Sequence, residues 1–190
     1  MPRIYLIRHG RPASTWGQGE DDDPGLDSVG QAQAEAVRDR LLALPPGERP
    51  TRVVSSPLRR CRETAAPTAA ALDLEIEIDP GVGEIPTPTA LAADQRRPWL
   101  QRAFQGNWDQ IEGDRDYGAW REAVVAALQG REGAAVFSHF VAINAVVSRL
   151  LDDPRVVGFR PDHASVTTLG IDEGGLTLLA RGDEAVTTVL

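Results

Sequence analysis

Ile4-Tyr5-Leu6-Ile7-Arg8-His9-Gly10 decides how this chain is read. Its four β-favouring apolar residues stop abruptly at an arginine, a histidine and a glycine. A short apolar run without polar alternation suits a strand covered on both faces, as in a parallel sheet. Two later runs have the same form: Val53-Val54 leads into Ser55-Ser56 and then Arg59-Arg60, and Val136-Phe137 leads into Ser138-His139. Open parallel sheets bind ligands beyond the carboxyl ends of their strands. If the three strands are neighbours, two histidines and at least two arginines meet on one rim.

The intervening segments read as helices. Asp27 or Ser28 can cap a helix running from Gln31 to Leu42, which Pro45-Pro46-Gly47 ends. After the strand at Thr51 to Ser56, a helix is expected through Arg60 to about Leu72, with Pro57 in its first turn and Pro67 kinking or dividing it. Glu75 to Ile78 alternates as a strand with one face in water. Asp79 to about Arg115 is rich in Pro, Gly, Trp and charge, with helical stretches around Ala90 to Gln95 and Trp99 to Gln105. Tyr117 to Leu128 resumes a helical period, Gly133 to Ser138 is a buried strand, and Val141 to Leu151 is an apolar helix. Ser165 to Ile171 and Leu176 to Ala180 form a hairpin about Glu173-Gly174-Gly175. This order predicts an α/β three-layer sandwich: a mainly parallel central sheet with helices on both faces. One domain is expected over residues 1–190, with a cap-like excursion at about 79–115.

The 190 residues carry 20 Lys plus Arg against 28 Asp plus Glu, a formal charge of −8. Part of that excess is local, in the run Glu20 to Asp23. A broadly basic surface for nucleic acid or membranes is therefore disfavoured, while a local cationic pocket is not. Cys61 is the only cysteine, so an internal disulfide and a Cys-rich zinc site are excluded. The N-terminal apolar run is far shorter than a signal-peptide core, and no stretch approaches a membrane span. A cytoplasmic location is expected. Oligomeric state is not legible.

The strand-end residues have the composition of a phosphate site. Arginine presents permanently charged planar donors to phosphate oxygens, and a neutral histidine nitrogen can attack phosphorus. Glu84, in Gly81-Val82-Gly83-Glu84-Ile85-Pro86, is the best-placed proton donor, with Asp79, Asp109 and Glu112 as alternatives. His163 follows Pro161-Asp162 without a motif and reads as a hydrogen-bonded or solvent-facing side chain. Cys61 reads as a packed small residue, and Ser138 lacks a nucleophile elbow.

Together these motifs resemble the histidine phosphatase superfamily, which also contains the cofactor-dependent phosphoglycerate mutases. Ile4 to Gly10 is similar to its opening strand and Arg-His-Gly signature. Leu26-Asp27-Ser28-Val29-Gly30-Gln31-Ala32-Gln33-Ala34 is similar to its Leu-Thr-x-x-Gly-x-x-Gln-Ala helix start. Ser55-Ser56-Pro57-Leu58-Arg59-Arg60-Cys61-Arg62-Glu63-Thr64-Ala65 is similar to Ser-Ser-x-Leu-x-Arg-Ala-x-x-Thr-Ala. Val136-Phe137-Ser138-His139 resembles the strand carrying the second histidine, and Ala164-Ser165-Val166-Thr167 the strand after it.

The resemblance implies a phosphoglycerate mutase-like fold and a phosphomonoesterase acting on a small phosphorylated substrate. His9 would be the nucleophile that becomes phosphohistidine. Arg8, Arg60 and His139 would bind the phosphoryl group, Glu84 would protonate the leaving alcohol, and no metal or organic cofactor would be needed. A mutase-like phosphotransferase and a catalytically weak phosphoprotein-binding module are the alternatives. Three departures stand out. Phe140 replaces the usual Gly after the second histidine and is expected to narrow the pocket rim. Thr15 is assigned to the place of a phosphate-binding Asn, and no aromatic hydroxyl follows Glu84. In the excursion, Trp99 and Trp108 either wall the pocket or pack the cap, while Arg96 and Arg97 are available to a second anionic group.

Overall fold

The computed structural model describes residues 1–14 and 22–185. Its centre is a six-stranded sheet in the order β3-β2-β4-β1-β5-β6. The strands are β1 (Arg3–Arg8), β2 (Arg52–Ser55), β3 (Ile76–Ile78), β4 (Ala134–Ser138), β5 (Val166–Asp172) and β6 (Gly175–Ala180). β1, β2, β3 and β4 run parallel, while β5 pairs antiparallel with β1 and with β6. The helices are α1 (Ser28–Leu42), α2 (Arg59–Leu72), α3 (Ala93–Gln105), α4 (Tyr117–Ala127) and α5 (Phe140–Leu150).

Side-chain alternation divides the core into two layers. Tyr5 and Ile7 of β1, Val53 of β2, and Ala135 and Phe137 of β4 face Val37 and Leu41 of α1 and Cys61, Ala65 and Ala69 of α2. Ile4, Leu6, Val54, Ala134 and Val136 face the other way, onto Val124 of α4 and Val141 to Val147 of α5. Burial of each such aliphatic side chain stabilises the fold by roughly 1.5–3 kcal/mol. Continuous apolar runs are needed because both sheet faces are covered.

Local signals place the helix ends. The Asp27 side chain, not Ser28, caps α1 by accepting from Gly30 N at 2.7 Å. Leu58 is the N-cap of α2, so Pro57 lies just before the helix and not in its first turn. Pro67 does not divide α2. Thr64, Ala65, Thr68 and Ala69 are buried on both sides of it, and that packing outweighs the ~3 kcal/mol that an interior proline costs. Likewise the two helical stretches expected in the excursion are one helix, α3, which contains Pro98. Trp99 beyond the proline is buried and anchors it in the core.

Candidate active site

The parallel order β2-β4-β1 brings three carboxyl ends side by side, with Tyr5 to Arg8 beside Ala135 to Ser138 and Arg52 to Ser55 beside Ala134 to Phe137. Arg8, His9, Arg60 and His139 leave those ends and meet. Their fractional exposures are 5%, 5%, 4% and 0%.

His9 Nδ1 lies 2.8 Å from the Gly10 carbonyl. A carbonyl only accepts, so Nδ1 carries the proton and Nε2 holds a lone pair. Arg60 Nε donates to that Nε2 at 3.3 Å, and Arg60 Nη2 lies 3.3 Å from His139 Nδ1. His139 Nε2 is 2.8 Å from Ser56 Oγ. The two rings meet edge to face, with centroids 5.3 Å apart. Both imidazoles are driven well below the usual histidine range, first by burial; at His9 the neighbouring His139 and then the arginine charges add to it, and at His139 the arginine charges. Both are therefore neutral at pH 7.

Arg60, and neither Arg59 nor Arg62, reaches the site because it shares the inward stripe of α2 with Cys61, Thr64, Ala65, Thr68 and Ala69. Arg59 pairs on the outside with Glu63 at 2.7 Å. Arg8 Nη1 donates to the Pro161 carbonyl at 2.9 Å, and burial pulls its pKa down to about 10.

Glu84 arrives from the segment after β3. Ser138 Oγ donates to the Val82 carbonyl at 2.7 Å, and Asp79 N donates to the Ser55 carbonyl at 2.9 Å. These bonds carry Glu84 to the strand ends, where its Oε2 lies 3.8 Å from His139 Nδ1 with the side chain 14% exposed. Burial raises its pKa above the ordinary carboxylate range, outweighing the opposing pull of Arg60 and Arg8. The alternatives are placed elsewhere: Asp79 pairs with Arg131 at 2.7 Å, and Asp109 and Glu112 are exposed.

The tight turn after β1 depends on close backbone approach. A Cβ on Gly10 would lie 2.7 Å from the Gly30 carbonyl oxygen, and one on Gly30 would clash with the Arg11 carbonyl. Gly10 N donates to Thr64 Oγ1 at 2.9 Å, and Thr64 Oγ1 donates to the Arg60 carbonyl at 2.6 Å. Thr64 thus joins the histidine turn to the arginine helix. It stands within the Ser55 to Ala65 motif, yet no local pattern marks it as a joint.

The expectation for Phe140 is corrected, and the two readings of Trp99 and Trp108 are decided in favour of packing. Phe140 is not a rim residue: it is 4% exposed at the start of α5, with Arg8 Cζ 5.2 Å from its ring centroid and Phe104 at 5.3 Å. Trp99 and Trp108 do not wall the site. Their indole N–H groups donate to the Glu112 carbonyl at 2.7 Å and to Ser148 Oγ at 2.9 Å, and both rings are buried in the core. A large ring with a satisfied donor is held best inside. Arg96 is exposed and Arg97 half-buried on α3, with no hydrogen bond to the strand-end residues among the described residues. Thr15 lies outside the described residues. Cys61 is buried with Sγ 3.4 Å from the Ser138 carbonyl, and burial pushes its thiol pKa up. His163 is hydrogen-bonded, and its partner is Arg8: Nε2 lies 3.0 Å from Arg8 Nη2.

Fold and site together define an open α/β protein whose paired histidines and arginines form a buried cationic cluster suited to a phosphoryl group. The histidine phosphatase superfamily (branch 1) model matches residues 4–184, and the chain belongs to that superfamily. An uncharacterized Mycobacterium tuberculosis protein is 40% identical over 84 residues, covering 43% of this chain and 40% of that protein's length. The probable phosphoglycerate mutase GpmB of Salmonella paratyphi C is 31% identical over 174 residues, covering 81% of this chain and 77% of the relative. The solved mycobacterial glucosyl-3-phosphoglycerate phosphatase shares the fold, with a TM-score of 0.71 at 22% identity over 97% of this chain and 100% of that one. Among the described residues, no helix is long and apolar enough to cross a membrane.

Proposed function

We propose that this protein is a phosphatase that hydrolyses a small phosphomonoester through a phosphohistidine on His9. The observation that carries the reading is the Nδ1–H bond to the Gly10 carbonyl, which leaves the His9 Nε2 lone pair facing Arg60 within the buried cationic cluster. In the first half-reaction Nε2 forms a bond to phosphorus while the bond from phosphorus to the alcohol oxygen breaks. Glu84 gives that oxygen its proton. In the second, water attacks phosphorus, the P–N bond breaks, and the Glu84 carboxylate takes the water proton. Arg8, Arg60 and His139 hold the equatorial oxygens and the charge that develops on them.

Two guanidinium charges match a phosphate dianion, so the reaction is assigned no metal, and chelator treatment should leave turnover within about twofold. Residues 79–115 are assigned the cap that shapes specificity, and the lone buried thiol suits a cytoplasmic setting. A mutase-like transfer is the second reading, favoured by the name of the GpmB relative. The deciding experiment is a panel of phosphomonoesters assayed with wild type and His9→Ala. Release of phosphate by wild type only, with an acid-labile phosphoenzyme lost in His9→Ala, is expected. Full activity in His9→Ala would overturn the mechanism, and isomerised product exceeding free phosphate would favour the mutase.

A further inference from the structure

His163 is the one histidine of three that the proposed reaction leaves unused. Its ring centroid lies 5.7 Å from that of His9, and its Nε2 lies 3.0 Å from Arg8 Nη2. A guanidinium nitrogen only donates, so this contact is a hydrogen bond when Nε2 holds the lone pair and Nδ1 the proton. Nδ1 faces Asp162 Oδ1 at 4.0 Å. Burial and the neighbouring Arg8 charge hold the His163 pKa at about 4, so the accepting form is the one present at neutral pH.

The same guanidinium is gripped from two other directions. Arg8 Nη1 donates to the Pro161 carbonyl at 2.9 Å, and the Phe140 ring packs against it with its centroid 5.2 Å from Cζ. The antiparallel β1–β5 register delivers this arrangement: Arg8 N donates to the Ser165 carbonyl at 3.2 Å and Ala164 N to the Arg8 carbonyl at 3.1 Å. Ala164 takes φ 58°, a left-handed value that residues other than glycine adopt rarely. The turn before β5 is thus held in a costly conformation where it meets Arg8.

We infer that His163 is a positioning residue: by accepting a hydrogen bond from Arg8 Nη2 it fixes the guanidinium plane and directs its remaining donors to a phosphoryl group beside His9. The inference deepens the phosphatase reading and rests on it. A lysine at position 8 has no plane to be oriented, so the effect of His163 should depend on Arg8.

The test compares wild type, His163→Leu, His163→Gln, Arg8→Lys and the Arg8→Lys/His163→Leu double variant, with His163→Ala as a second removal of the acceptor. Inorganic phosphate affinity is read by calorimetry, turnover of a phosphomonoester is read alongside, and melting curves establish folding. Loss of the acceptor is expected to weaken phosphate binding and lower kcat/KM about tenfold. His163→Gln, which keeps an acceptor, should stay within about threefold, and in the Arg8→Lys background the loss should shrink below about twofold. Full phosphate affinity in folded His163→Leu and His163→Ala, or an equally large loss in the Arg8→Lys background, would overturn the inference. A wild type that binds phosphate but hydrolyses no ester would overturn the phosphatase reading alone, and His163 would still be judged by affinity. A wild type that binds no phosphate would overturn both.

Discussion

Glu84 Oε2 lies 3.8 Å from His139 Nδ1, yet burial holds the carboxyl above its ordinary pKa against the attraction of Arg60 and Arg8. A raised acid is the form that can give a proton to a leaving oxygen near neutral pH. Replacing it removes the donor and also removes a charge that the fold accommodates at a cost.

Glu84→Gln should therefore lower kcat by about 10²–10⁴-fold while raising the melting temperature at pH 7. The sign follows from linkage. A group whose folded pKa is raised contributes stability below its unfolded value, and that stability is lost as pH rises through the folded value. The gain in Glu84→Gln should grow as pH rises above the unfolded value of about 4.3, level off above the raised folded value, and vanish well below about pH 4, where the carboxyl is protonated in both states. Melting temperature against pH for the two proteins measures it, and an unchanged or lowered value at pH 7 would contradict it.

His9, His139 and His163 are all held below the ordinary histidine range by burial. Each binds fewer protons folded than unfolded, so stability should fall as pH drops from about 6.5, by up to about 1.4 kcal/mol per pH unit for each histidine. Urea midpoints at pH 7, 6 and 5 test this, and His163→Gln should flatten the decline.

Gly30→Ala should destabilise the protein by about 1–3 kcal/mol, because the added carbon meets the Arg11 backbone and not the end of a yielding side chain. Chemical denaturation gives the value. A neutral effect would mean that the loop after β1 can move away from α1.

Trp108→Ala should cost about 3–5 kcal/mol through lost burial and the lost indole bond to Ser148 Oγ, with the ratio of kcat/KM among substrates unchanged. Altered preference at unchanged stability would instead return the indole to the site.

The strand ends were legible because β1, β2 and β4 are covered on both faces, so their residues form unbroken apolar runs that stop visibly at Arg8-His9, Ser55-Ser56 and Ser138-His139. Choosing Arg60 over Arg59 needed the resemblance to a motif, and the helical stripe of α2 gives the physical cause. Local preference places Pro57 in the first turn of α2 and allows Pro67 to divide it, whereas Leu58 is the N-cap and burial on both sides of Pro67 carries the helix on.

By itself the sequence determined the alternation of strands and helices, the parallel character of β1, β2 and β4 and the residues that end them. These are matters of period and burial, which are local along the chain. Tertiary structure alone decided that Trp99 and Trp108 belong to the core, that Phe140 lies under Arg8, and that His163 accepts from the same arginine. Those contacts join residues up to 155 positions apart, and the β1–β5 register that makes the last of them is set by pairing across the sheet, which no local pattern encodes.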